Sequence, residues 1–314
     1  MSDLRVGGAF AANLSASFSP LHFSFIAFMR MSNSTHRHEE SQYRTYAFVF
    51  GTVIVVGLPL NVVALWILLR RHNRKSPSAV FMINLAISDL LLAISLPWRV
   101  YFYATGTWSL GNMACNFVTM LFRNNVRSSA VFITFISVDR LLAVVFPLRS
   151  RHIRTASNAG KAAAVVWLIV IIVNIPESVK LLEGLKLINE STCFDYDNHN
   201  TDSPPIPFLQ PVLILTLLVV NIVSTLLVSL TLRKRVSVSA KVQNSVNVML
   251  IFAMNLAMFT VFFLPISMVF LFRDSKIDVT PLICLASVNC CFDPLLYYFS
   301  FDGFWKRKEE GESS

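Results

Sequence analysis

Seven apolar runs, each long enough to cross a bilayer, constrain this chain more than any other feature. They fall at residues 46–69, 80–104, 113–142, 160–180, 207–232, 246–272 and 280–300. A helix needs about 20 mainly apolar residues to cross the hydrocarbon core. In lipid, every backbone N–H and C=O must find its partner within the protein, so only helices and closed barrels span. These runs are too long and continuous for the alternating pattern of barrel strands. The expected fold class is an all-α membrane protein, a seven-transmembrane helix bundle. Composition agrees: 54% of residues are hydrophobic, 14% are charged and the mean hydropathy is +0.59. Soluble domains are about a quarter charged, so this chain has too few polar side chains to cover a surface facing water.

A net charge of +9 would suit nucleic acid, but its distribution does not. The cations sit in short clusters between the apolar runs: Arg70, Arg71, Arg74 and Lys75; Arg149, Arg151, Arg154 and Lys161; Arg233, Lys234, Arg235 and Lys241; Lys306, Arg307 and Lys308. The alternate loops carry only Lys180, Lys186, Arg273 and Lys276. Cation-rich loops stay cytoplasmic, and an odd number of spans then places the N-terminus outside, in a plasma-membrane, multi-pass protein. No nucleic-acid partner is expected. Asn13, Asn33 and Asn189 head glycosylation sequons on the expected outer side. Residues 10–29 are mildly apolar, but His22 and several serines interrupt them and no clean small-residue cleavage site follows. They read as tail rather than signal. The expected organisation is an extracellular tail at 1–45, the bundle at 46–300 and a short terminal segment at 301–314.

Ionisable groups inside spans are costly and are functional candidates for that reason. Asp89 and Asp293 lie mid-span, with Asn61, Ser129 and Asn289 as nearby oxygen donors. If these converge, carboxylate, amide and hydroxyl oxygens suit a small hard cation. An allosteric Na+ held by Asp89, Ser129, Asn289 and Asp293 is the expectation; no other metal or cofactor is.

Arg99, Arg123 and Arg127 form a second set toward the outer side. Arg123 and Arg127 are four apart and share one helical face. The outer halves of the spans contain few acids to pair with them, which favours a site for phosphate or carboxylate built on planar guanidinium forks. Tyr103 and Arg273 belong to the same mouth. Phe117, Met120, Phe262 and Ile266 are the expected apolar walls. Cys115 and Cys193 are both extracellular by this topology, so a disulfide is favoured there; Cys284, Cys290 and Cys291 read as buried thiols. Pro97, Pro265 and Pro294 interrupt their helices and mark places where a span kinks.

Taken in order, these stretches resemble the rhodopsin-like G-protein-coupled receptors from about Tyr46 to Trp305. "GLPLN" is similar to the span-one signature, "NLAISD" to that of span two, and Cys115 with "SVDRLLAVVFPL" to span three and its loop. Trp167, "FTVFFLP" and "DPLLY" follow in spans four, six and seven, and "FDGFWKRK" resembles the short amphipathic eighth helix. "SLPWRVYFYATGTW", "PLRSRHIRT" and "NCCFDPLLYYFS" resemble the lysophosphatidic acid and purinergic branch, which takes phosphate-bearing ligands. The resemblance implies no enzyme chemistry. It implies a heterotrimeric G protein as partner and a switch through Asp139, Arg140, Phe259, Phe263, Pro265, Pro294 and Tyr297, with Arg140 restrained at rest. Span five lacks the usual central proline, and span six has Phe262 where much of the family has cysteine and Phe263 where it has tryptophan.

An anionic lipid, most simply a lysophospholipid such as lysophosphatidic acid, fits the arginines and apolar walls together. A fatty-acid or eicosanoid carboxylate is the runner-up and a nucleotide comes third. An anion transporter or channel is the alternative class, disfavoured because no internal repeat is visible. No HExxH or GxSxG stretch points to an enzyme.

Overall fold

The computed structural model describes residues 41–70, 76–186, 193–194, 206–235, 242–272 and 279–312. Of the first compact unit, Met1–Thr45, these include one helical turn, Ser41–Thr45, in which the Thr45 hydroxyl donates to the Ser41 carbonyl at 2.9 Å. Everything else described belongs to the second unit, Tyr46–Ser314. Asn13, Asn33, Asn189 and Arg273 lie outside the described residues.

Seven helices among the described residues are long and apolar enough to cross a membrane. The elements are α1 (Ser41–Arg70), α2 (Pro77–Thr105), α3 (Gly111–Val145), α4 (Ala156–Lys186), α5 (Ile206–Arg235), α6 and α7 (Thr280–Glu312). The sixth, α6, runs as Val242–Met258, widens through the π-helical segment Phe259–Phe263 and continues as Leu264–Phe272. Helical backbone thus covers the stretch expected to form the amphipathic eighth helix, continuous here with the seventh span.

Local chemistry sets several ends. Pro77 occupies the first turn of α2, where its missing N–H costs nothing. Gly106 closes that helix in the left-handed region (φ 70°), and its N–H bonds the Phe102 carbonyl at 2.8 Å. The π segment has a cause two residues on. Pro265 lacks an N–H and crowds the preceding turn, and the Leu264 N–H reaches back five residues to the Phe259 carbonyl.

Burial sorts the helices. In the most apolar stretch of α2, 61% is buried, against 22% in α1, α4 and α5. The last three are therefore peripheral, and α4 presents a bare apolar face (Leu168, Ile171, Ile172 and Ile175) of the kind that only lipid would cover. α3 is the hub, packed on α2, α4, α5 and α6. The Cys115–Cys193 disulfide ties its start to the segment that follows α4, with Cα atoms 5.7 Å apart. Asn61 fastens α1 to α7 by donating to the Cys290 carbonyl at 2.7 Å. Trp167 donates to Asn84 at 2.9 Å across α4 and α2.

Candidate ligand and coupling sites

At the disulfide end, Arg99 of α2 is 1% exposed and enclosed by aromatic rings. Its guanidinium carbon lies 4.2 Å from the centre of the Phe194 ring, 5.2 Å from Phe122 and 5.9 Å from Phe50. Nε and Nη1 have no hydrogen-bond partner among the described residues. Cation–π attraction compensates part of the desolvation of such a group, but two buried donors remain unmet, which is costly. Tyr103 joins the same cluster: its ring meets Tyr46, Phe50, Phe102 and Phe194 within 5.1–6.2 Å, and its hydroxyl donates to Thr280 at 3.4 Å. Phe194 follows Cys193 directly, so the disulfide fixes the ring closest to Arg99. Sequence reasoning did not single out Phe194; its adjacency to an expected outer cystine was the available signal.

Arg123 and Arg127 share a face, as their spacing requires, but that face meets α4. Arg127 donates to Asn174 at 2.8 Å and to Glu177 at 2.5 Å, and its side chain is 4% exposed. Arg123 lies 3.6 Å from the other Glu177 oxygen and keeps 28% exposure. Asn174 also donates to Asn124 and to the Val170 carbonyl, which locks the cluster. The expectation that these two arginines lack acids is thus corrected. Glu177, in the α4 stretch "NIPESVK", neutralises one of them fully and holds the other loosely. Among the described residues Arg127 leaves one buried donor open, Nε, whereas Arg99 leaves two and has no ion pair.

The expected walls are dispersed. Phe262 and Ile266 are buried on α6, and Phe262 packs on Phe292 with ring centres 5.4 Å apart. No described ring contact joins Phe262 to the Arg99 cluster. Met120 is half-buried and Phe117 is 55% exposed, on the outside of α3 rather than in a packed wall.

Mid-bundle, Asp89 and Asp293 approach each other closely and both are fully buried. Asn125 donates to Asp89 at 2.9 Å and to Ser129 at 3.2 Å, and Ser129 reaches Asp89 at 3.5 Å. Asn289 donates to Asp293 at 2.6 Å. All four expected oxygen donors therefore lie in one network. Asn125, overlooked in the sequence, links two of them. Asp89 Oδ2, Asp293 Oδ1, Asn289 Oδ1 and Asn125 Oδ1 have no hydrogen-bond partner among the described residues. An acceptor-rich, donor-poor cluster of this kind has the chemistry that a hard cation satisfies.

At the other end of α3, Asp139 pairs with Arg154 rather than with its neighbour Arg140. Arg154 donates to both carboxylate oxygens, at 2.7 and 3.1 Å, and Ser78 of α2 donates to one of them. Consecutive helical residues point in different directions and do not face each other, so adjacency alone could not make the Asp139–Arg140 pair. Arg140 Nε has no hydrogen-bond partner among the described residues. The other expected switch residues lie on α6 and α7. Phe259 and Phe263 are fully buried with rings 5.5 Å apart, Pro265 and Pro294 sit within α6 and α7, and Tyr297 is buried with its hydroxyl unpartnered among the described residues.

A seven-helix bundle with a disulfide-capped end and a charged clasp at the far end of its central helix defines a membrane receptor class. The sequence profile of the 7 transmembrane receptor (rhodopsin family) matches residues 60–297, and this chain belongs to that family of receptors, which are not enzymes. It is 32% identical over 302 residues to lysophosphatidic acid receptor 4 of Homo sapiens, covering 88% of this chain and 81% of that one. It is 30% identical to lysophosphatidic acid receptor 6 of Gallus gallus (87% and 95% covered) and 30% identical to proteinase-activated receptor 1 of Mus musculus (80% and 62% covered).

Proposed function

We propose that this protein is a plasma-membrane receptor, with its N-terminus outside, that answers a lysophospholipid such as lysophosphatidic acid by activating a heterotrimeric G protein. One observation carries the ligand assignment. Arg99 is a buried guanidinium at the disulfide end, with two donors unmet among the described residues and three aromatic rings around it. A phosphate supplies the acceptors those donors lack. The rings and the apolar helix faces beside them offer an acyl chain a surface that a nucleotide's base and ribose would not use. The half-exposed Arg123 gives the headgroup a second cation. The names of the lysophosphatidic acid receptors among the relatives support the same ligand class.

Binding at Arg99 acts on the opposite end by preferring one of two helix arrangements, and the coupling is reciprocal: the G protein must tighten ligand binding as much as ligand favours the G protein. The buried Asp89–Asp293 network lies between the two ends and takes Na+ as an allosteric ion. The test is nucleotide exchange on a panel of purified G proteins with the receptor in nanodiscs. Lysophosphatidic acid should stimulate exchange at lower concentration than a fatty acid of the same chain or a nucleotide. A nucleotide acting at lower concentration, or anion flux through receptor-bearing liposomes without any G protein, overturns the assignment.

A further inference from the structure

Away from the disulfide, α2, α3, α4 and the α3–α4 connection leave a cavity of about 200 Å³ between them. Its walls are apolar, formed by Phe81, Phe135, Leu142, Ile153 and Ala162, and the Asp139–Arg154 pair closes one side. Sites that enclose a whole drug-sized ligand measure about 300–1,000 Å³. This one suits a segment of a molecule whose remainder lies outside. The connection beside it is greasy where it is bare: Leu148 is 88% exposed and Ile153 58%. It is also basic. Arg149 and Arg151 flank the same turn, Lys161 precedes Ala162 on α4, and all three are exposed, with no ion pair among the described residues. The carboxylate that faces the cavity, Asp139, is already satisfied by Arg154 and Ser78.

We infer that this cavity is a binding site for an anionic phospholipid of the surrounding bilayer. One acyl chain enters between Phe81, Phe135 and Ala162, and Arg149, Arg151 and Lys161 hold the phosphate. Charge complementarity selects the headgroup, since cations near a membrane surface attract anionic lipid. The apolar walls and the exposed Leu148 and Ile153 place the cavity where chains are available. The site is remote from Arg99 and does not rest on the identity of the activating ligand. A chain seated there packs against the Asp139–Arg154 pair and favours the arrangement in which that pair is made, so the lipid acts as a resident modulator of coupling.

The experiment uses the full chain in phosphatidylcholine nanodiscs doped with phosphatidylserine carrying a diazirine near the end of one acyl chain. A matched phosphatidylcholine probe serves as comparison. After irradiation, the phosphatidylserine probe should label Phe135–Leu142 and Ile153–Ala162 more heavily than the matched probe does. Replacing Arg149, Arg151 and Lys161 by Gln should lower that labelling by about fivefold per cation removed and leave phosphatidylcholine labelling unchanged. Ala162→Phe, which fills the cavity, should remove labelling at these segments for both probes while other segments stay labelled. The glutamine variants lie on the exposed surface and keep the test valid if Ala162→Phe does not fold. Equal labelling by the two probes, or labelling that the glutamine variants leave unaltered, overturns the inference. So does labelling of these segments by a water-soluble diazirine instead of the lipid.

Discussion

Asp139 accepts two hydrogen bonds from Arg154, fifteen residues further on, and leaves its neighbour Arg140 outside the pair. The carboxylate has one cation in a loop and another beside it in sequence, and the structure shows it committed to the first. Arg154→Gln should leave the buried Asp139 carboxylate with the Ser78 hydroxyl and no cation, since Arg140 projects in a different direction. Each charge-assisted bond contributes about 1.5–3 kcal/mol, so losing the two should lower stimulated nucleotide exchange by about tenfold or more. Asp139→Asn, which releases Arg154 without leaving a buried charge, should instead raise basal exchange. Measuring both variants and the double variant isolates the coupling; a rise in exchange with Arg154→Gln would contradict this arrangement.

Glu177 binds Arg127 at 2.5 Å in a setting where neither side chain is more than 11% exposed. Breaking a buried pair from one side leaves an uncompensated charge and costs about 3–5 kcal/mol. Arg127→Ala is expected to lower the unfolding temperature and surface expression sharply. Adding Glu177→Ala should recover only part of the loss, because the buried carboxylate is gone but Arg123 then loses its own partner. Thermal unfolding of the detergent-solubilised single and double variants tests the pair directly.

Arg99 carries the ligand assignment, and the shape of its head matters as well as its charge. Arg99→Ala should reduce lysophosphatidic acid potency by about 10–100-fold, the worth of one or two charged hydrogen bonds, with surface expression much less affected. Arg99→Lys should recover only part of the loss, since an ammonium lacks the planar fork. Concentration–response curves for calcium release or nucleotide exchange provide the measurement.

Among the described residues, four carboxylate and amide oxygens around Asp89 and Asp293 lack donors. Replacing choline chloride by sodium chloride at constant ionic strength should raise the unfolding temperature, because an ion bound only to the folded state stabilises it. Asp89→Asn should abolish the sodium-dependent difference while leaving the bundle folded. A difference that persists in Asp89→Asn places the ion elsewhere.

Gly57 permits the approach of α1 to α7. A Cβ built there would lie 2.8 Å from the Cys290 sulfur. Gly57→Val should cost about 1–3 kcal/mol through overpacking and weaken the nearby Asn61–Cys290 bond. Pairing it with Cys290→Ala should relieve most of the cost in thermal unfolding.

The spans were legible because hydropathy along the chain is a local quantity and seven runs of sufficient length admit one fold class. Spacing placed Arg123 and Arg127 on one face of α3. It did not say what that face meets, which depends on how α4 is rotated, and Glu177 lay within a run judged by its apolar residues. The four oxygen-bearing residues around Asp89 were legible because polar groups in lipid must cluster. Phe194 and the Arg154 partner of Asp139 were not, since both reach their targets from segments between helices whose path no periodicity records.

The widened turn at Phe259–Phe263 holds a surplus residue, its hydrogen bond spanning five residues where its neighbours' bonds span four. A surplus can be handed along a helix without unwinding it. Each step rotates the residues it passes by about 100°, enough to re-aim Phe262 or Ile266 from one neighbour to the next. The sixth span therefore carries its own screw thread, and the proline that lodged the extra residue there sets where turning starts.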